Sequence, residues 1–375
     1  MRRPLSISLT TCIAALAAHA ASAQLPSVTA AAARVTAIAK TAHLSGEITI
    51  ADRTGPLIDR AIGLADRGKQ KAHRPGAQWL WASVTKQVTA VLVMQQVEAG
   101  TLSLDGTIRD YLPNFSGAIG NTITLRQLLQ HLSGLPNPDD TPAGAGDVPT
   151  FYTETGPRIA DTSRATGFCS GTPRAAPGAG FAYNNCDYLV LGAILERVTG
   201  KPYARLVADR VAKPLGLRSL KVARDGKLTG GGAATGYTTG GKPYPAVNVA
   251  TFGAAGALTG TARDLVAFDR ALAGGKLLGP ESRALLWKGD PKLGYEALGV
   301  WSFPARLAGC AQPVTLIERR GDVGGIQVRN VIAPDLGRSV AVFVNDDTLD
   351  FGEVWQGKGL SYDLLSAAFC PVAQS

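Results

Sequence analysis

Stretches that read as β-strand cluster at the two ends of this chain, and mostly helical sequence fills the space between them. Gly46–Asp52 (GEITIAD) and Pro56–Leu64 (PLIDRAIGL) alternate in the strand period and join at Arg53-Thr54-Gly55, which predicts a hairpin. Near the other end, Val314–Glu318, Ile326–Ile332 and Ser339–Val344 are β-rich, and Pro334-Asp335-Leu336-Gly337 turns the last two around each other. Helices are expected at Ser27–Ala42, with Ser27 as N-cap, and at about Ser361–Phe369. Between the strand groups the spacing predicts helices at Ser83–Gly100, Thr124–Leu132, about 185–199 and 262–272, the last capped by Thr261 with Asp264 three residues on. Strands so far apart share a core most simply as one sheet. The expected fold is therefore α+β: an antiparallel sheet built from both chain ends, flanked by helices, with an inserted helical subdomain. The sheet part is placed at about 24–82 and 286–375, and the helical part at about 83–285.

The N-terminus reads as a targeting segment. Arg2 and Arg3 precede an apolar run from Leu5 to Ala18, and Ala21-Ser22-Ala23 has the small-x-small pattern of a signal-peptidase site. Cleavage is expected after Ala23, leaving residues 24–375 as a single domain in the periplasm or outside the cell. No later stretch is apolar for long enough to span a membrane, so no stable membrane insertion is expected. An oxidising destination makes cysteines candidates for bridges. The four beyond the leader allow three pairings. Cys169–Cys186 and Cys310–Cys370 are favoured as the local and C-terminal pairs. No Cys-x-x-Cys or His/Cys cluster is present, so neither a metal nor another cofactor is expected. The net charge is +9, but it is scattered. Its densest run, Arg67–Arg74, carries no interleaved aromatic and reads as a solvated loop, so nucleic acid is not an expected partner. A monomer is expected.

The helix from Ser83 (SVTKQVTAVLVMQQVEAG) is apolar almost all round, yet it holds Lys86 one turn after Ser83. That spacing puts both side chains on one face. A lysine there opposes the helix dipole, and burial lowers its pKa. Such a lysine suits a proton acceptor for a serine hydroxyl. The plain alternative is a capping serine with a lysine that snorkels to water.

Two later segments carry polar groups of the same kind. Tyr183-Asn184-Asn185 precedes an amphipathic helix. Tyr183 can shuttle a proton if a cation lowers its pKa, and Asn185 can bind a substrate amide. Alone, the segment reads more readily as a helix start with a buried tyrosine. In Ile317–Asn330 (IERRGDVGGIQVRN), Arg319 can hold a carboxylate bidentately, and Gly321, Gly324 and Gly325 let a ligand approach the backbone. Alone, it reads as a glycine-bent strand with surface arginines.

Taken together, Ser83-Val84-Thr85-Lys86, Tyr183-Asn184-Asn185 and Arg319-Arg320-Gly321 resemble the serine β-lactamase and penicillin-binding superfamily, nearest its class C branch. That branch includes D-alanyl-D-alanine carboxypeptidases, D-aminopeptidases and family VIII esterases. AIGLADR at the hairpin, LLQHLSGLP (Leu128–Pro136) and GAAGALTGTARDLVAF (Gly253–Phe268) look similar too, so the likeness spans most of residues 44–369. It implies the β-lactamase/transpeptidase-like fold, with Ser83 as nucleophile, Lys86 and Tyr183 moving its proton, and Asn185 on the substrate amide. Arg319 would take the place of the family's Lys or His, and the N–H groups of Ser83 and Asp322 would form an oxyanion hole with Gly321 between them. His131 resembles a structural position rather than a base.

The third motif departs from the pattern. Arg320 is bulkier than the usual small residue, and Asp322 adds a negative charge, which counts against efficient β-lactam turnover. The implied activity is hydrolysis of an amide or ester (a β-lactam, a D-amino-acid peptide or a simple ester) through an acyl-serine. The implied partner is a small-molecule or peptidoglycan-derived substrate. A second reading is a penicillin- or peptidoglycan-binding protein that is acylated, or binds, without turnover. The segment Thr141–Gly180 is long for a structureless loop and is expected to rim the cleft.

Overall fold

The computed structural model describes residues 25–156, 159, 161–223 and 233–372. The expected targeting segment lies outside them. In chain order the main elements are α1 (Val28–Thr41), β1 (Gly46–Asp52), β2 (Pro56–Ile62), α2 (Thr85–Glu98), α3 (Asn185–Thr199), α4 (Ala262–Ala273), β3 (Trp301–Ala305), β4 (Val314–Val323), β5 (Ile326–Ala333), β6 (Arg338–Val344) and α5 (Leu360–Phe369).

The two chain ends meet in one six-stranded antiparallel sheet of order β3-β4-β5-β6-β1-β2. The junction is β6 against β1, with Val340 opposite Ile50. Along β6 the alternation sends Val340, Val342 and Val344 to one face and Ala341 and Phe343 to the other. Every residue of β6 is buried because both faces are covered. On the first face lie α1 and α5, which pack Ala31, Val35, Leu364 and Phe369 against the sheet. Ser27 caps α1, its hydroxyl accepting from the Ala30 N–H at 3.2 Å. The second face meets α2 and α4 and the larger core.

Several boundaries differ from expectation for local reasons. Gly63, at φ +77°, ends β2 two residues early, and Leu64–Asp66 turns away to pair with Lys71–Ala72. β3 was not anticipated. It carries Pro304 and lies at the sheet edge, where a missing N–H is tolerated. β4 runs five residues past its expected end, straight through the arginine motif. The expected helix at Thr124–Leu132 is only Leu125–Leu129, closed by a capping box between Thr124 and Gln127. On α4 the Thr261 hydroxyl accepts from the Asp264 N–H as expected, but the Asp264 carboxylate serves the Ser219 N–H at 2.9 Å instead.

α2 runs through the middle of the helical part, and eleven of its fourteen residues are buried. Surrounded on all sides, it has no need of a polar face. A small sheet of Trp79–Leu80, Leu258–Gly260 and Lys221–Val222 leads the chain into its start. Both expected disulfides are present, Cys169–Cys186 and Cys310–Cys370, with Cα separations of 5.4 and 4.9 Å. Among the described residues, no helix is long and apolar enough to cross a membrane, and no group of side chains is arranged to hold a metal.

Candidate active site

Ser83 sits in a 3₁₀ turn, Ala82–Val84, that leads into α2. The Trp81 N–H donates to the Leu258 carbonyl at 2.8 Å, anchoring the turn to the small sheet. Ala82 is held at φ +46°, a left-handed conformation that costs a non-glycine residue energy. Ser83 makes no cap hydrogen bond, and Lys86 is fully buried. Both parts of the plain reading, a capping serine and a lysine reaching water, are therefore excluded.

The Lys86 amine has four acceptors within reach. They are Ser83 Oγ at 3.1 Å, Tyr183 Oη at 2.6 Å, Asn185 Oδ1 at 2.7 Å and the Ala255 carbonyl at 2.9 Å. The last two can only accept, so they take two N–H groups. The remaining tetrahedral position faces the two hydroxyls. It holds a shared proton when the lysine is charged and a lone pair when it is neutral. Burial drives the Lys86 pKa well below that of a free lysine, and the Arg319 charge pushes the same way; Asp139, Asp187 and Glu296 oppose them. The neutral form, with its lone pair toward the hydroxyls, is thus within reach.

Tyr183 and Asn185 arrive together because α3 starts at Asn185, with the Asn184 side chain capping it at the Cys186 N–H. Tyr183 Oη lies 2.5 Å from Ser83 Oγ. Its pKa is raised rather than lowered. Burial outweighs the pull of Arg319 and of the Ser83 hydrogen bond. The expected lowering by a cation is therefore not met, because burial of the hydroxyl exceeds the pull of Arg319. Tyr183 is a neutral hydroxyl that can pass a proton on. The Cys169–Cys186 bridge ties this segment down three residues beyond Tyr183. Beneath the tyrosine, His131 is fully buried, with Nδ1 2.9 Å from Asp187 Oδ2 and its ring 4.6 Å from that of Tyr183. It touches neither Ser83 nor Lys86, in line with a structural part.

β4 closes the opposite wall, and here two readings change. Arg319 is 1% exposed. Its Nε donates to the Ser83 carbonyl at 3.1 Å, and its guanidinium lies over the rings of Tyr183 and Trp301. Nη1 is 3.9 Å from Glu296, and among the described residues neither Nη has a hydrogen-bond partner. Arg319 is packed as a brace for the nucleophile's turn rather than displayed as a carboxylate clamp. Gly321 does permit a close approach, but the approaching backbone is the chain's own. A Cβ there would lie 2.9 Å from Ser83 N, Trp81 O and Ala82 Cβ. Likewise, the space beside Gly325 is taken by the backbone of Gly236 and Tyr237.

Arg320 projects from the other side of the strand into Glu318 and Glu353, at 2.8 and 2.6 Å. Its bulk is directed into that pairing. Asp322 is exposed on the cleft, facing Asp347 and Arg329. Desolvation in the cleft, reinforced by Asp347, pushes its pKa up to about 6.

Sequence reasoning missed four contributors. Tyr152 accepts from Asn185 Nδ2 at 2.7 Å and donates to Asp139 Oδ1 at 2.5 Å. Glu296 is buried behind Arg319, and its pKa is pushed up to about 8 by burial, with Arg319 and Lys86 pulling it down. The Ala255 carbonyl holds Lys86. For Tyr152 the one available signal was the long segment Thr141–Gly180, which does rim the cleft through Val148, Pro149 and Tyr152. The cleft has a volume of about 490 Å³ and brings Ser83, Tyr183, Asn185 and Arg319 together with Asp322.

Comparison with known proteins shows the family and the fold. The family model described as Beta-lactamase matches residues 29–357. Esterase EstB of Burkholderia gladioli is 35% identical over 190 residues, 47% of this chain and 46% of EstB. Penicillin-binding protein 4 of Amycolatopsis lactamdurans is 33% identical over 179 residues, 47% of this chain and 44% of that protein. The chain thus spans less than half the length of these curated relatives. Among solved structures, a D-stereospecific amidohydrolase from Streptomyces sp. superposes with a TM-score of 0.73 at 24% identity, covering 92% of this chain and 99% of that one. A D-amino acid amidase from Ochrobactrum anthropi also gives 0.73, at 20% identity, covering 90% and 98%. At these identities the superpositions establish the fold, the α+β arrangement expected from the sequence.

Proposed function

Because the chain belongs to the beta-lactamase family, we propose that it is a serine hydrolase that cleaves an amide or ester through an acyl-enzyme on Ser83. The observation that carries this reading is the hydrogen-bonded triangle of Ser83 Oγ, Tyr183 Oη and the fully buried Lys86 amine, opening on a cleft.

In acylation, the Ser83 proton passes to the Lys86 lone pair, directly or through Tyr183 Oη, as Oγ forms its bond to the substrate carbonyl carbon. The oxyanion that results is assigned to the N–H groups of Ser83 and Asp322, across the close contact at Gly321. The tetrahedral adduct collapses, the bond to the alkoxide or amine breaks, and that group takes the proton back by way of Tyr183. Deacylation repeats the sequence with water in place of Ser83. Asn185 keeps its amide nitrogen on Tyr152 and its oxygen on Lys86, so its first duty is to hold the lysine.

A substrate without a carboxylate beside the scissile bond is supported by the engagement of Arg319 Nε with the Ser83 carbonyl and of Arg320 with two glutamates, while Asp322 and Asp347 stand beside Arg329 in the cleft. A simple ester or neutral amide is the reading preferred over a β-lactam or a peptide C-terminus; among the similar proteins one is named an esterase, one a D-amino acid amidase and one a penicillin-binding protein. The leader pattern and the two disulfides support export.

The test is a panel of p-nitrophenyl acetate, a D-amino-acid p-nitroanilide and a fluorescent penicillin, with wild type and Ser83→Ala, followed by intact-mass measurement of the acyl adduct. Turnover of the ester or amide that vanishes with Ser83→Ala is expected. A wild type as inert as the variant would overturn the reading. A stable adduct without turnover would favour a penicillin-binding protein instead.

A further inference from the structure

Tyr152 and Asp139 belong to a hydrogen-bond chain whose direction is dictated by chemistry. The Asp139 carboxylate can only accept, so the Tyr152 hydroxyl must spend its single proton on it, at 2.5 Å. The Tyr152 oxygen is left as an acceptor, and the group facing it at 2.7 Å must then be the amide nitrogen of Asn185. This turns the Asn185 oxygen toward Lys86, at 2.7 Å. An amide rotated by half a turn would place an NH₂ against the lysine nitrogen, donor against donor.

With Asn185 Oδ1 and the Ala255 carbonyl each taking one N–H, the third position of the lysine nitrogen points at Ser83 and Tyr183. Tyr152 itself is immobilised: it is 4% exposed and stacked on Phe252, with ring centroids 4.2 Å apart and planes 3° from parallel.

We propose that Asp139 and Tyr152 are positioning residues that orient the Asn185 amide, and through it aim the acceptor position of Lys86 at the Ser83 hydroxyl. The inference rests on the serine-hydrolase reading. It deepens that reading by extending the proton machinery three residues beyond the lysine, to a carboxylate at the cleft rim. It also gives Tyr152, from the rim segment, a duty besides shaping the cleft.

The test measures kcat and KM for p-nitrophenyl acetate across pH in wild type, Tyr152→Phe, Asp139→Asn and Ser83→Ala. Tyr152→Phe keeps the ring on Phe252 and deletes only the hydroxyl. Its kcat is expected to fall about tenfold to a hundredfold, part of what a general base supplies, with little change in KM. A residue that merely shaped the cleft would move KM instead.

Asp139→Asn removes a negative charge that helps Lys86 keep its proton. The acidic limb of the kcat/KM profile should therefore move to lower pH. The other groups facing Lys86 stay in place in that variant: Arg319 from β4, Asp187 and Tyr188 from α3, Glu296 ahead of β3, and Tyr183. Full kcat in Tyr152→Phe, or an unmoved limb in Asp139→Asn, would overturn the proposal. Activity surviving in Ser83→Ala would overturn the serine-hydrolase reading beneath it, and the two failures are read from different variants.

Discussion

The Cα of Gly321 lies against the backbone nitrogen of Ser83, so closely that a Cβ on the glycine would come within 2.9 Å of it. The strand that lines the cleft and the turn that carries the nucleophile are thus in direct backbone contact. Neither can move away without opening the space between them, where the substrate oxygen is proposed to sit.

Gly321→Ala should accordingly act as a wedge. Two of the three atoms it would strike are backbone, so β4 or the turn must shift by tenths of an ångström. If the two N–H groups are aimed at one oxyanion, misplacing them should lower kcat by about 10²-fold or more, the loss seen when one such donor is removed. Steady-state kinetics on the nitrophenyl ester would show it, while far-ultraviolet circular dichroism should stay unchanged.

Ala82 is held at φ +46°, one residue before the nucleophile. A left-handed alanine costs roughly 1–2 kcal/mol, which glycine does not incur. Ala82→Gly should therefore raise the midpoint of urea unfolding, although glycine's greater freedom in the unfolded chain returns part of the gain. Activity should fall in the same variant if the strain serves to fix Ser83.

Arg319 and Glu296 are buried together, 3.9 Å apart. Removing one partner of a buried ion pair costs about 3–5 kcal/mol when the other is left charged. The Glu296 pKa is about 8, so that loss applies to Arg319→Met above this pH, where combining it with Glu296→Gln should recover part of it. A denaturant-unfolding double-mutant cycle measures the coupling, and additive losses would mean that the two side chains do not support each other.

Asp269 on α4 has its pKa raised from 3.8 to about 7, mainly by burial, with the hydrogen bond from Asn330 opposing. The folded protein therefore holds this proton where the unfolded chain has released it. Its contribution to stability is present below pH 3.8 and is lost as the pH rises to about 7, a change on the order of 4 kcal/mol. Asp269→Asn should flatten that part of the stability–pH curve. Urea midpoints between pH 4 and pH 8 give the comparison.

Much of this arrangement is legible in the chain because it rests on local periodicity. The period-2 runs and their turns disclose a sheet made from both ends, and Val340, opposite Ile50, shows the two ends in register. Ser83 and Lys86 fall on one helical face by spacing, and Tyr183 and Asn185 precede α3 by two residues and begin it. What was not legible depends on which way a side chain turns, or on irregular backbone. Two adjacent arginines look equivalent in the sequence, yet alternation along β4 sends Arg319 beneath Ser83 and Arg320 to Glu353. Tyr152 and Asp139 lie in 3₁₀ turns, where no period marks a facing side. Glu296 is buried at isolated β-bridges to Asp290 and Trp301, outside any strand run that the sequence discloses.

The bridge from Cys169 to Cys186 joins the rim segment to the very start of α3, one residue past Asn185. The nucleophile's helix owes nothing to that bond, but the tyrosine and asparagine that complete the reaction centre sit on the tethered side. A chain in which this bond is reduced keeps the anchor of the Ser83 turn on Leu258 but loses the tether between the rim segment and the start of α3.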